Sequence, residues 1–211
     1  MKNLMDVLVP FSPARPKTRL SGTFSPEERV SFAREMLADT LATVRKAGHE
    51  PRVLATESID CAAPVTVDER ALTPAVNDAI TEATPVAVVV ADLPLATSAA
   101  VERLFESSAD IAVAPGRGGG TNALVIRRPE FRVDYHGASF RDHVAIAESI
   151  EADVTVVDSH RLATDIDERA DLAELLLHGS GTAHDWLVDR GFQVSVTDGR
   201  VGIERSAASR G

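Results

Sequence analysis

Asp92 directly follows an uninterrupted apolar run, VAVVVA at 86–91, and is itself followed by Leu-Pro-Leu. A continuous run of valine and alanine is typical of a strand that is buried on both faces of a sheet. Ligands of open α/β sheets bind at the carboxyl ends of such strands, where a carboxylate can hold a divalent metal ion. The alternative is that Asp92 caps the helix predicted to begin near Thr97. This segment by itself favours neither explanation.

Two further carboxylates, Asp165 and Asp167, stand one residue apart after another predicted strand. Alternate residues of an extended segment point the same way, so both side chains can face a single site. Together with Asp92 they would offer magnesium the hard oxygen ligands that it prefers. An acidic turn that caps the helix predicted at Asp171 is the competing explanation for this pair.

A basic loop at residues 13–20 follows the first predicted strand and contains two prolines and three cations. Lys17 can act as a point charge and Arg19 as a two-pronged donor, a combination that suits a polyphosphate. The loop is not a Walker sequence, because the pattern G-x-x-x-x-G-K-[ST] is absent. A solvated basic turn would have the same composition, so the loop alone does not decide.

Two segments rich in small residues offer hydrogen-bond donors to an anion. In Gly118-Gly119-Gly120 the backbone N–H groups can approach an anion closely, and Thr121 adds a hydroxyl. Ser139 stands at the start of a predicted helix, where a hydroxyl and free N–H groups can form an anion site. The competing explanations are a loose hairpin connection for the glycines and simple N-capping for the serine.

The composition excludes several classes of protein. The single cysteine, Cys61, rules out an intrachain disulfide and a multi-cysteine zinc site. A net charge of −10 argues against a broad nucleic-acid surface. The apolar runs are far shorter than the roughly 18 residues of a membrane helix, and no signal-peptide pattern opens the chain, so we expect a cytoplasmic protein without a membrane partner. Only three of the 22 basic residues are lysines, and this acidic, lysine-poor composition is typical of salt-loving organisms.

The elements that must position these residues alternate between strands and helices, which predicts a three-layer α/β sandwich with a largely parallel sheet. Strands are predicted at 6–11, 52–55, 65–67, the run before Asp92, 110–114, 123–127 and 154–157. Helices are predicted at 26–47, 73–83, 98–107, 139–150, 171–178 and 181–190, the first with a capping box of Ser25 and Glu28. A terminal hairpin at 193–204 is predicted to turn at Asp198-Gly199. We expect one domain over residues 1–205, with the helix and hairpin at about 181–204 as an appendage and a disordered tail at 206–211.

Five motifs occur in a fixed order: Pro-Lys-Thr-Arg-Leu at 16–20, Asp-Leu-Pro-Leu at 92–95, Gly-Gly-Thr-Asn-Ala-Leu at 119–124, Gly-Ala-Ser-Phe at 137–140 and Asp-x-Asp at 165–167. In this order they resemble the 2-phospho-L-lactate guanylyltransferase family of coenzyme F-420 biosynthesis, and the acidic composition points to a halophilic archaeon. The glycine-rich element combined with the later Gly-x-Ser is the most specific part. The two aspartate motifs are shared with other nucleotidyltransferases and glycosyltransferases.

The resemblance implies a Rossmann-like nucleotide-diphospho-sugar transferase fold with a largely parallel mixed sheet. It implies a homodimeric enzyme that joins GTP to (2S)-2-phospholactate, releasing pyrophosphate and forming lactyl-2-diphospho-5'-guanosine. Asp92, Asp165 and Asp167 would then hold Mg2+, and Lys17, Arg19 and Asp92 would form the catalytic set. By the same resemblance, Lys17 and Arg19 would bind the triphosphate with Asn77 near the nucleotide, and Thr121, Gly137 and Ser139 would grip the acceptor.

Three alternatives stay open on the sequence. Phosphoenolpyruvate could replace phospholactate, because members of the family differ in their acceptor. A related nucleotidyltransferase could use another acceptor, such as a molybdopterin cofactor or a sugar phosphate, although the glycine and serine motifs favour phospholactate. A non-catalytic nucleotide-binding regulator is the third alternative. Such a protein would tolerate loss of the metal carboxylates, and all three are present here.

Overall fold

Seven strands form one mixed sheet in the computed structural model, which describes residues 5–14 and 16–206. In chain order they are β1 (Asp6–Phe11), β2 (Pro51–Ala55), β3 (Val65–Val67), β4 (Val86–Val89), β5 (Ile111–Pro115), β6 (Thr121–Ile126) and β7 (Val154–Val156). Their spatial order is β3-β2-β1-β4-β6-β5-β7. Of these strands, β6 alone runs antiparallel to its neighbours.

The direction of β6 matters for the site. Because it is antiparallel, its first residues lie at the edge of the sheet where the parallel strands end. Val89 of β4 pairs with Ala123, and the N–H of Val90 donates to the carbonyl of Asn122 at 2.9 Å. Thr121 and Asn122 are thereby placed beside the segment that carries Asp92.

Helices cover both faces of the sheet, as the alternating pattern predicts. They are α1 (Pro26–Lys46), α2 (Leu72–Glu82), α3 (Ser98–Phe105), α4 (Ser139–Ser149), α5 (His160–Ala163), α6 (Arg169–His178) and α7 (Thr182–Asp189). Val7 and Val9 of β1 pack towards α1, α3, α5, α6 and α7, whereas Leu8 packs towards α2 and α4. Strand alternation thus divides the core between two layers of helices. The predicted three-layer α/β fold is confirmed.

The predicted helix start at Ser25 is also confirmed. The Ser25 hydroxyl accepts the N–H of Glu28 at 3.2 Å, and the Glu28 carboxylate accepts the N–H of Ser25 at 2.9 Å. This reciprocal capping box, with Pro26 at the first helical position, satisfies N–H groups that the helix cannot pair internally.

A hairpin of β8 (Phe192–Thr197) and β9 (Arg200–Arg205) follows α7 and turns at Asp198-Gly199 as predicted. Its apolar side joins α7 and the start of α1 in one core, where the ring of Trp186 packs against Phe24 and Phe32. Of the predicted tail at 206–211, the structure describes Ser206, whose N–H donates to the carbonyl of Gly191 at 2.9 Å. The rest of that tail lies outside the described residues.

Two features differ from the sequence pattern. β4 ends at Val89, although the N–H of Val90 still donates to Asn122 of β6, so Asp92 lies on a turn three residues beyond the strand. The pattern also predicts neither α5 nor the 3₁₀ turn at Thr18–Leu20. No helix in 5–14 and 16–206 combines the length and the apolar character that a membrane crossing needs.

Candidate active site

The ammonium group of Lys17 lies between two carboxylates. Its Nζ donates to Oδ2 of Asp92 and to Oδ1 of Asp167, each at 2.6 Å. Burial lowers the pKa of Lys17, but Asp92 and Asp167 raise it by more, so the pKa lies above its usual value and the amine is charged at neutral pH. Its backbone has φ 53°, in the left-handed region that lysine rarely adopts. Such strain persists only where the surroundings hold a residue in place, as at many active sites.

A backbone contact brings the acidic residues together. The N–H of Ile166, which is fully buried, donates to the carbonyl of Asp92 at 3.1 Å. Asp165 and Asp167 flank Ile166, so both lie beside the turn that carries Asp92. Oδ1 of Asp165 accepts a hydrogen bond from the Asn122 amide at 3.0 Å. The three carboxylates that the sequence assigns to one site are therefore neighbours.

The charge balance of this group fits a divalent cation. Oδ1 of Asp92 is buried and has no hydrogen-bond partner among the described residues. Burial raises the pKa of Asp165, and the charges of Asp92 and Asp167 raise it further against the opposing effect of Asn122. Carboxylate oxygens that lack counter-charge are ligands for a hard cation. Among the described residues, the carboxylate oxygens of Asp92, Asp165 and Asp167 do not all lie within 4.8 Å of one another. The Lys17 ammonium lies between Asp92 and Asp167.

Asp92, Asp165 and Asp167 could instead have served as helix caps, but other residues cap the helices concerned. Thr97 caps α3, since its hydroxyl accepts the N–H of Ala100 at 3.3 Å. At the start of α6, Oδ2 of Asp171 accepts the N–H groups of Asp167 at 3.0 Å and of Glu168 at 2.8 Å. Asp171 also accepts a 2.7 Å hydrogen bond from Arg117 of the glycine-rich loop. Asp171 therefore fixes the backbone of Asp167 and joins it to that loop.

Thr121 and Ser139 meet in a second, fully buried group. The Ser139 hydroxyl donates to Oγ1 of Thr121 at 3.4 Å, and Nδ1 of His143 lies 2.8 Å from the same oxygen. Nε2 of His143 accepts the N–H of Asp134 at 3.0 Å, so the ring proton must be on Nδ1 and is donated to Thr121. Burial lowers the pKa of His143 to about 4 although Asp134 and Asp142 oppose this, so the imidazole is neutral.

Ser139 is the first residue of α4 and not its cap. The capping position is Ala138, which provides no side-chain hydrogen bond. The hydroxyl of Ser139 does not cap the helix and instead donates to Thr121. The N–H of Phe140 donates to the carbonyl of Gly119 at 3.2 Å and so ties the glycine-rich loop to this helix. Gly119 needs to be glycine, because its φ is +84°.

A cleft of about 500 Å³ opens over the ends of β1, β2 and β4. Lys17, Asp92 and Asp167 form part of its wall, whereas Thr121, Gly137 and Ser139 lie outside its lining. The two groups are nevertheless adjacent, because Asn122 contacts Asp165 and its chain neighbour Thr121 contacts Ser139. The arrangement can hold a nucleotide in the cleft and a second anion beside it.

Two predicted nucleotide contacts differ in their surroundings. Arg19 is 67 % exposed, with its guanidinium 3.7 Å from Asp167 and 3.6 Å from Glu168, so it is free to turn towards a ligand. The geometry does not support a nucleotide contact for Asn77. Its amide donates to the carbonyl of Val133 at 3.0 Å and accepts the N–H of the same residue at 2.8 Å, so both of its polar groups are used.

The sequence pattern assigns no role to Asn122, His143 or Asp171. Of these three, only His143 has a spacing in the sequence that indicates a place in the site. It stands four residues after Ser139 and therefore on the same face of α4. The contacts of Asn122 and Asp171 join residues that are 43 and 54 positions apart.

Comparisons with known proteins give a consistent result. A family model described as guanylyl transferase CofC like matches residues 5–207. A protein of Haloarcula marismortui named 2-phospho-L-lactate guanylyltransferase is 55 % identical over 206 residues, which cover 95 % of this chain and 99 % of that protein. A protein of the same name from Halomicrobium mukohataei is 56 % identical over 202 residues, covering 95 % and 100 % of the two chains.

Solved structures share the fold. A crystal structure described as a candidate nucleotide-diphospho-sugar transferase, from Desulfovibrio desulfuricans G20, superimposes with a TM-score of 0.74. The match covers 88 % of this chain and 94 % of the other at 14 % identity. At that identity the likeness concerns the fold alone, and it agrees with the predicted nucleotide-diphospho-sugar transferase architecture.

Proposed function

Because this chain belongs to the family of CofC-like guanylyl transferases, we propose that it joins GTP to 2-phospho-L-lactate and releases pyrophosphate. One observation in the structure carries the proposal. A cation suited to a triphosphate, three carboxylates and two buried hydroxyls meet at one edge of the sheet. Nucleotidyl transfer onto a phosphorylated acceptor can use each of these groups to neutralise charge or to hold a reactant.

The reaction brings two anions together. A phosphate oxygen of the acceptor forms a bond to the α-phosphorus of GTP, and the bond from that phosphorus to the bridging oxygen of the β-phosphate breaks. A phosphate ester has a second pKa of about 6, so the attacking group is already ionised near neutral pH. No general base is required. The task of the protein is to neutralise charge and to align the reactants.

The chain supplies groups for both tasks. Lys17 and Arg19 bind the β- and γ-phosphates and stabilise the charge of the leaving pyrophosphate. For this, Lys17 moves from its position between Asp92 and Asp167. Those carboxylates and Asp165 would hold Mg2+, which supplies positive charge to phosphate oxygens when it is bound.

The acceptor is held by hydroxyls and backbone donors. Oγ1 of Thr121 accepts from His143 and from Ser139, so its own hydrogen is left to donate to an acceptor oxygen. Gly137 has φ +54° and leads the chain into the first turn of α4, where N–H groups attract an anion. Thr121, Gly137 and Ser139 thus define the acceptor subsite of this proposal.

The decisive experiment measures pyrophosphate release from GTP and Mg2+ in concentrated salt, with 2-phospholactate, with phosphoenolpyruvate and with no acceptor. We expect release that depends on 2-phospholactate. Asp92→Asn should lower turnover by about 100-fold or more, as loss of a key electrostatic group does. Asp153→Asn is the matched control, because Asp153 is exposed and precedes β7 at the opposite edge of the sheet.

The same experiment separates the alternatives. Release that depends on phosphoenolpyruvate alone would keep the transferase and replace its acceptor. Binding of GTP without release in the presence of either acceptor would overturn the proposal in favour of another acceptor or a regulator. Normal turnover of Asp92→Asn would remove Asp92 from the catalytic group.

A further inference from the structure

A second group of metal-type ligands lies away from the cleft, where His160, Glu174 and His178 converge at the surface. One ligand atom from each lies within 4.8 Å of the other two, and within the described ranges no other three histidine, cysteine or acidic side chains do so. Nε2 of His160 is 3.6 Å and Nε2 of His178 is 3.7 Å from Oε2 of Glu174. The two imidazole rings stand nearly perpendicular, with centroids 6.0 Å apart.

These distances suit ligands around one ion better than hydrogen bonds. A hydrogen bond to oxygen would bring the atoms to about 2.7–3.2 Å. Two ligands that bind one tetrahedral ion at about 2.0–2.1 Å are instead about 3.4 Å apart. Among the described residues, the polar contacts of these three side chains are only with one another.

We propose that His160, Glu174 and His178 form a transition-metal site that binds Zn2+. Two imidazoles and one carboxylate are a common zinc ligand set, and a water completes the tetrahedron. The set differs from the all-oxygen group of Asp92, Asp165 and Asp167, which suits magnesium. The side chains of His160 and His178 are 53 % and 46 % exposed, so an ion can enter from solvent.

The site joins two helices around a functional segment. His160 is the first residue of α5, while Glu174 and His178 lie one turn apart on the same face of α6. The guanidinium of Arg161 donates to the carbonyl of His178 at 2.9 Å and already holds the helices at this spacing. Between them runs the segment 164–168, which carries Asp165 and Asp167. A zinc ion at this site therefore stabilises the folded chain and restrains that segment.

The test is calorimetric titration of the EDTA-treated, full-length protein with ZnCl2, in excess Mg2+ so that the aspartates are not available. We expect one Zn2+ per chain and a higher thermal midpoint. His160→Ala, His178→Ala and Glu174→Gln should each weaken binding by about ten-fold or more, since loss of even an outer-shell partner costs roughly 10–100-fold. His136→Ala is the control, because it removes an 81 % exposed histidine elsewhere.

The glutamine variant keeps the shape of Glu174, so its circular dichroism and metal-free thermal midpoint should match those of the native chain. Asp92→Asn should still bind one Zn2+, which separates this site from the cleft and makes the result independent of the proposed function. Failure of the native chain to bind Zn2+ would overturn the inference. Native affinity in the three ligand variants, or loss of binding in Asp92→Asn, would do the same.

Discussion

The direction of one hydroxyl depends on a residue that touches no substrate in the proposed reaction. The backbone N–H of Asp134 fixes the tautomer of His143, and His143 then donates to Thr121. The hydroxyl hydrogen of Thr121 is then free to donate to the acceptor of the proposed reaction. His143 is therefore a positioning residue, and its low pKa keeps this arrangement constant across the neutral range.

Thr121→Val keeps the shape of this side chain and removes the hydroxyl. Hydrogen bonds to charged groups contribute about 1.5–3 kcal/mol, so we expect the KM for the acceptor to rise by about ten-fold or more. The KM for GTP should change little, because Thr121 lies outside the lining of the cleft. Steady-state kinetics with each substrate varied in turn measures both. An unchanged acceptor KM would contradict the assignment of Thr121.

The start of α6 connects the stability of the fold to the site. Asp171 is the N3 residue of the capping box of this helix, with Glu168 at the N-cap, and it also accepts the N–H of Asp167 and a hydrogen bond from the guanidinium of Arg117. A cap elsewhere in the chain has no such second role. Among the described residues, the hydroxyl and N–H of Ser25 at the start of α1 have hydrogen bonds with Glu27 and Glu28 only, and its carbonyl accepts the N–H of Arg29 within the helix.

We predict different outcomes for the two caps. Loss of a cap costs about 0.5–2 kcal/mol, so Ser25→Ala and Asp171→Ala should both lower the urea midpoint. Only Asp171→Ala should also lower turnover, since it releases the backbone that carries Asp167. Urea unfolding and pyrophosphate release on the same samples make the comparison. If Asp171→Ala retains native turnover, the proposed link between cap and site is wrong.

Most elements can be predicted from local patterns, with α5 and the 3₁₀ turn as exceptions, whereas their long-range partners cannot. The capping box at Ser25 and the turn at Asp198-Gly199 are local in sequence, and both are confirmed. The pairing of β4 with β6, which begins more than 30 residues later, and the antiparallel direction of β6 have no local signature. Asn77 illustrates the same limit. Its partner Val133 is 56 residues away, and only the structure shows that its amide is already used.

His143 makes the stability of the folded chain depend on pH. The unfolded chain binds a proton on this histidine near pH 6.5, but the folded chain does so only near pH 4. Between these values the unfolded state binds more protons, so stability rises with pH and levels off above about 6.5. Acidification therefore destabilises the fold.

We expect His143 alone to lower the free energy of unfolding by about 2 kcal/mol between pH 7 and pH 5. His143→Gln, which cannot be protonated in this range, should lose that part of the pH dependence even if it is less stable throughout. Urea unfolding of both proteins at the two pH values gives the difference. Parallel pH profiles for the two proteins would show that His143 is not responsible.

The position of Lys17 between Asp92 and Asp167 affects how ligands bind in the cleft. While the Lys17 ammonium lies 2.6 Å from both carboxylates, it competes with any cation for them. In the proposed function, a triphosphate would draw the ammonium away and uncover those oxygens. Nucleotide and metal ion would then favour each other's binding, and linkage requires this coupling to be equal in both directions. On that proposal, the resting protein would select the nucleotide–metal complex over either component alone.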